Sequence, residues 1–173
     1  MNNLILTPEI LTAENFSQFG QVISLEQKDF LTINDGYAKK YPDLATIDTQ
    51  EHGGTTTVHI YVAKKRQFPL QINMLEKHPF FSQTFIPKDN QPFLVVVAPA
   101  SNELNIKDIR VFISTGEQGV NYSRGVWHFP LISVRDGAQF IVIDRKHVID
   151  SDDIEQCIVH PIEDSNITLE FSL

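Results

Sequence analysis

Four side chains with donor or proton-transfer chemistry stand out by type and spacing: Glu76, His78, Gln83 and His128. Glu76 and His78 are two positions apart, so on an extended strand both leave the same face. Gln83 opens the next strand-like run after a tight connection, and His128 arrives from a distant part of the chain. A carboxylate, two imidazoles and an amide aimed into one interior would make either an N/O shell for a metal or a small polar pocket. Glu-x-His beside Pro79 also has a plain reading as a surface turn, and the spacing alone does not choose between the two.

His128 lies in GEQGVNYSRGVWHFP, residues 116–130, a segment dense in turn formers. It is flanked by IRVFIS at 109–114, and by 131–134 and QFIVID at 139–144, which are β-branched and apolar. The local plan is strand, elaborate turn, strand. Gly116, Gly119 and Gly125 mark backbone that needs positive φ or close approach, and Pro130 biases Phe129 towards extended geometry. His128 then stands at a strand entrance, where a rigid sheet can aim it inward. The rival is a half-buried His bonded to backbone.

The elements that would carry these residues are short strands. QVISL (21–25), TTTVHIYVA (55–63), QINMLE (71–76), 83–86 and PFLVVVA (92–98) are β-rich, and Gly, Pro, Asn and Asp punctuate them. Asn34-Asp35-Gly36 reads as a turn with positive φ, 37–45 as loop or a short helical turn, 102–107 as one helical turn, and 167–171 as an edge strand. Thr12 to Phe16 reads as a short helix with Thr12 at its N-cap, Asn15 where a capping box carries Glu or Gln, and Gly20 as its end. Helical periods are otherwise scarce, and the expected fold is mainly β, an all-β sandwich or barrel. No repeat or linker breaks residues 1–173, which read as a single domain.

Of 173 residues, 42% are hydrophobic and 10% aromatic, enough for a packed core. The net charge of −8 leaves no electrostatic footprint for nucleic acid or an anionic membrane, and the largest basic cluster, Lys64-Lys65-Arg66, reads as a solvated loop. Cys157 is the sole cysteine, so no intrachain disulfide can form. No basic leader with an apolar run opens the chain, and no apolar stretch approaches a membrane span. A soluble, cytoplasmic protein is the expectation.

HPFFSQTFIP at 78–87, VVVA at 95–98, the 116–130 segment and IDR at 143–145 resemble, in that order and spacing, the ureidoglycolate lyase family, formerly described as ureidoglycolate hydrolase. The resemblance runs over most of the chain. It implies a cupin-type β-barrel or jelly roll with a few short helices, a homodimer, and cleavage of (S)-ureidoglycolate to glyoxylate and urea in allantoin breakdown. Cupins carry His-x-His, then Glu, then a late His. Here Glu76 and His78 stand for the His pair, Gln83 for the Glu and His128 for the late His, so His78, Gln83 and His128 are the implied metal ligands. An amide is a poorer donor than a carboxylate, so a divalent ion, nickel by association with the family, would be held more weakly.

Ureidoglycolate is a carbinolamine bearing a carboxylate. Its collapse needs removal of the hydroxyl proton and protonation of the departing ureido nitrogen, together with an anchor for the carboxylate. The resemblance therefore implies His128 as base or metal ligand, Glu76 and His78 as partners in proton transfer or ligation, Gln83 as an orienting donor, and Arg124 as carboxylate anchor. Arg124 also reads as simply exposed. Tyr122 and Trp127 read as core or pocket wall, Asn121 as a turn cap, and Asp144-Arg145 as an ion pair or an inter-subunit contact. His52, His59, His147 and His160 have no motif around them and read as incidental.

Three places depart from the family pattern. Val62-Ala63 stands where the family carries Arg-Ala, Gln139-Phe140 where it carries Asp-Phe, and Lys146-His147 where a Gly-rich segment is expected. Without that Arg, the carboxylate would fall to Lys64, Arg124 or another cation, or the substrate would be a related ureido acid. Two other readings stay open: an amidohydrolase releasing ammonia in place of urea, and a non-catalytic cupin that binds a small organic acid.

Overall fold

The computed structural model describes residues 2–26, 29–146, 156–163 and 165–172. Two sheets face one another. The first runs Gly20–Ile23, Gly119–Tyr122, Gln83–Pro87, Ala138–Arg145, Thr56–Ala63. The second runs Ile158–Pro161, Met74–Lys77, Trp127–His128, Phe93–Ala98, Arg110–Ile113, Glu9–Ile10, with Ile132–Ser133 also paired to Phe93–Ala98. Helix is confined to 3-10 turns among the described residues. The mainly β, jelly-roll expectation holds.

The apolar run at 93–98 shows how the layers form. Phe93, Val95 and Val97 enter the core between the two sheets, with Phe85, Val120, Phe140 and Val142. Leu94, Val96 and Ala98 enter a second core on the other face, with Leu75, Trp127, Ile167 and Leu169. A strand buried on both faces reads as an unbroken apolar run, because both sets of alternating positions must be apolar. Alternation also fixes which polar residues are interior. In antiparallel pairs, residues directly opposite share a face, and Val97 is opposite His128, which is opposite Glu76. Both therefore point between the sheets.

Several local expectations are met or corrected. Thr12 and Asn15 do exchange capping bonds: Asn15 N–H donates to Thr12 Oγ1 at 3.1 Å and Thr12 N–H to Asn15 Oδ1 at 2.9 Å. The segment is nonetheless a series of turns rather than a helix, and Gly20 begins a strand. Asn15→Ala removes an acceptor and the 2.7 Å bond from Asn15 Nδ2 to Ile10 O. We expect a loss of about 1 kcal/mol, read as a fall of a few degrees in thermal midpoint.

Asn34, Asp35 and Gly36 have φ of 53°, 53° and 93°, as their turn requires. They join Leu31–Ile33 to Ala38–Lys40 in a hairpin, so 38–40 is strand and not loop. The 71–76 run is divided between Leu70–Gln71 and Met74–Lys77, which belong to different sheets. Ser165–Leu169 is the central strand of a three-stranded sheet, between Asn2–Leu6 and Leu70–Gln71, and not an edge. His147 lies outside the described residues.

Candidate functional site

Met74–Lys77 delivers Glu76 opposite His128, and His78 follows one residue beyond the strand. The His78 ring stacks on Phe81, with centroids 4.4 Å apart, and its Nδ1 lies 3.2 Å from Gln156 O. His128, 2% exposed, stacks on Tyr122 at 4.7 Å, and its Nδ1 lies 3.0 Å from Val126 O. A carbonyl accepts only, so each Nδ1 carries the proton and each Nε2 presents its lone pair. Both Nε2 atoms are buried without a hydrogen-bond partner. Glu76 Oε1 lies 3.6 Å from His128 Nε2, and one donor atom from each of Glu76, His78 and His128 falls within 4.8 Å of the others.

Burial, and then the neighbouring His78, hold the His128 imidazole down to about pKa 3 against the opposing effect of the Val126 carbonyl. It is neutral at pH 7. A base is matched to its task when its pKa is near the working pH, so His128 is poorly suited to remove a proton and well suited to donate a lone pair to an ion. Two orphaned imidazole nitrogens and a half-buried carboxylate fit a divalent transition ion, with coordination positions left for other ligands. Tyr122, pushed up by burial and then by the Glu76 charge, keeps its phenol proton and serves as wall.

Gln83 is 8% exposed on the inward face, directly opposite Tyr122 across the strand pair. Its Nε2 donates to Asp144 Oδ2 at 3.3 Å. Gln83 is thus an orienting donor towards Asp144, and a ligand role would fall to its Oε1. Arg124 does not stand free at the rim: its Nε lies 2.9 Å from Asp48 Oδ2 and its Nη1 donates to Glu51 Oε2. Lys64 follows the far end of Thr56–Ala63. It lines an open cleft of about 610 Å³ with Tyr61, Val62, Ala63, Lys65, Arg66, Pro130 and Leu131.

Trp127 faces the second core, with its indole N–H donating to Ser101 Oγ at 3.1 Å and the Lys77 ammonium 4.3 Å over its ring. Asn121 is buried on the outer side of its strand, accepting from Thr84 Oγ1 at 2.7 Å and donating to Gln21 Oε1 and Thr46 O. It anchors strands to a loop. Asp144 and Arg145 point to opposite faces; Asp144 meets Gln83, while Arg145 Nη2 donates to His52 O at 3.4 Å. His52 sits edge-on to Phe80 and His160 edge-on to Trp127.

His59 has two close polar partners. Its Nε2 lies 3.1 Å from Asp144 Oδ1 and 2.9 Å from Thr57 Oγ1. Alternation along 55–63 puts Thr57, His59 and Tyr61 on one face, a signal already legible in the sequence. His59 is directly opposite the core residue Val142, which identifies that face as the inward one.

Residues 3–165 match the family described as ureidoglycolate lyase. The chain is similar to the ureidoglycolate lyase of Azotobacter vinelandii, 44% identical over 141 residues that cover 82% of this chain and 85% of that protein. It is similar also to that of Stutzerimonas stutzeri, 45% identical over 140 residues, 81% of this chain and 82% of the other. Among solved structures it is similar to RmlC from Streptococcus suis in complex with dTDP-D-xylose, with a TM-score of 0.47 and 11% identity over 84% of this chain and 74% of that one.

Proposed function

This chain belongs to the ureidoglycolate lyase family, and we propose that it cleaves (S)-ureidoglycolate into glyoxylate and urea. The observation that supports this most strongly is the pair of buried, unpartnered Nε2 atoms of His78 and His128 beside Glu76. We assign these three residues to a divalent ion, which when bound would supply positive charge for the substrate's oxygens. Tyr122 and Phe81 fix the two rings by stacking and keep that wall dry. Residues 1–173 act as one cytoplasmic unit in this reading.

Two cations are assigned to the carboxylate. Lys64 draws the anion to the cleft, and Arg124 receives it at the rim by giving up one of its two carboxylate partners. Arg124→Ala is expected to raise KM about tenfold and leave kcat within about threefold, as loss of one charge-assisted contact in both ground and transition state would do. Steady-state kinetics separates the two parameters. A KM unchanged by R124A would move the anchor to Lys64 or another cation.

A two-fold homodimer is part of the proposal. Thr56–Ala63 is an edge strand whose outward Val58, Ile60 and Val62 are 66%, 53% and 67% exposed, next to half-buried Ile86, Ile141 and Ile143. An apolar edge strand of this length invites pairing, and a second copy covers it. Charge substitution at Ile60 should yield monomer in sedimentation.

The deciding experiment is incubation with racemic ureidoglycolate, with and without chelator, assaying glyoxylate, urea and ammonia separately. Urea equal to glyoxylate supports the lyase, and loss on chelation supports the ion. Ammonia in place of urea makes the protein an amidohydrolase, and turnover no faster than the spontaneous rate makes it a non-catalytic binder.

A further inference from the structure

Assigning both interior imidazoles to an ion leaves the reaction without a proton carrier, and the facing sheet holds another imidazole. Asp144 collects three donors on the inward side of Ala138–Arg145: Gln83 Nε2 at 3.3 Å, Thr57 Oγ1 at 3.3 Å and His59 Nε2 at 3.1 Å. A carboxylate that accepts from Nε2–H fixes the tautomer of His59 and leaves the lone pair on Nδ1. The cluster is contiguous with the metal-type triad. Gln83 is directly opposite Tyr122, and Tyr122 stacks on His128. The Tyr61 ring lies 6.4 Å from that of His59 and 6.1 Å from that of Phe85, which in turn lies 5.7 Å from Tyr122; burial first, and then the charges of Asp144 and of Glu76, push its phenol up. Tyr61 also lines the open cleft.

We propose that His59, held by Asp144, is the catalytic acid–base residue of this chain, with Asp144, Gln83 and Thr57 as positioning residues. The inference rests on the lyase reading. In the step, His59 Nδ1 takes the proton of the substrate's hydroxyl as the carbon–oxygen bond becomes the aldehyde and the carbon–nitrogen bond breaks. The electron pair leaves with the ureido nitrogen, and the imidazolium returns the same proton there, so urea and glyoxylate form with no net proton gained or lost. Asp144 bears the counter-charge while the imidazolium exists. The His59 side chain is 44% exposed against 11% for Asp144, so its ring meets water, whereas His128 is 2% exposed.

The test uses the metal-loaded protein with ureidoglycolate, comparing wild type, His59→Ala, His59→Gln and Asp144→Asn. The expected result for both His59 variants is a kcat at least 100-fold lower with KM within about threefold, the size of a lost general acid–base. Their nickel content by equilibrium dialysis should equal wild type, since the triad is untouched. Free imidazole should restore H59A by tenfold or more in proportion to its concentration, and D144N should fall in kcat in the same direction. H59Q carries the comparison if H59A fails to fold. A His59 variant whose kcat stays within threefold of wild type, or an H59A deficit that imidazole leaves unchanged, overturns the inference and leaves the lyase standing. Wild type that does not exceed the spontaneous rate overturns the lyase reading and this one with it.

Discussion

Replacing His128 by Ala is expected to lower kcat for ureidoglycolate by about 10²–10⁴-fold and to abolish retention of a divalent ion, with the β fold intact by circular dichroism. The argument is the orphaned lone pair. His128 Nε2 is buried with no hydrogen-bond partner and faces the matching atom of His78 and the Glu76 carboxylate. A protein leaves such an atom bare at a cost of about 1–3 kcal/mol unless something outside the chain completes it. Burial holds the ring's pKa down, which disfavours a general-base role, and the bare lone pair favours ligation. The experiment therefore couples two readouts, turnover and bound metal. An H128A protein that binds nickel as wild type does but turns over slowly would reverse the assignment and return His128 to proton transfer.

How much of this was legible before the structure can be seen residue by residue. The Glu76–His78 spacing needed only the strand period, and the turn chemistry of 116–130 was enough to place His128 at a strand entrance. What spacing could not supply was register. That Glu76 and His128 are directly opposite each other depends on how Met74–Lys77 and Trp127–His128 align across the sheet, a long-range fact set by the two cores. Arg124 shows the same dependence on distant residues. A guanidinium in a Gly-rich turn reads as available, yet a loop more than 70 residues earlier supplies Asp48 and Glu51 to hold it. The partners of His59 are not legible from any motif around it, although its alternation with Thr57 and Tyr61 is. Its meaning comes from Asp144, 85 positions away. The division of 71–76 between two sheets was hidden for the same reason, since an apolar strand period does not say which layer receives it.

Metal-free protein is expected to lose stability on acidification through His128, and the sign follows from its two proton affinities. In the fold the ring is held down to about pKa 3, against about 6.5 for an unperturbed histidine. Between those limits the unfolded chain binds a proton that the native state does not, so unfolding becomes easier as pH falls. The contribution is fully present above about pH 6.5 and is lost progressively down to about pH 3. From pH 7 to pH 4.5 it amounts to roughly 2–3 kcal/mol. Urea unfolding of chelator-treated wild type at those two pH values, set against His128→Asn, isolates it, because other titrating groups are common to both proteins. Wild type should lose roughly 2–3 kcal/mol more than H128N over the interval. Equal losses would mean that the ring reaches water or a proton donor in the folded state. The same burial that makes the ring a poor base would then no longer hold, and His128 would regain its claim to the proton that His59 is here assigned to carry.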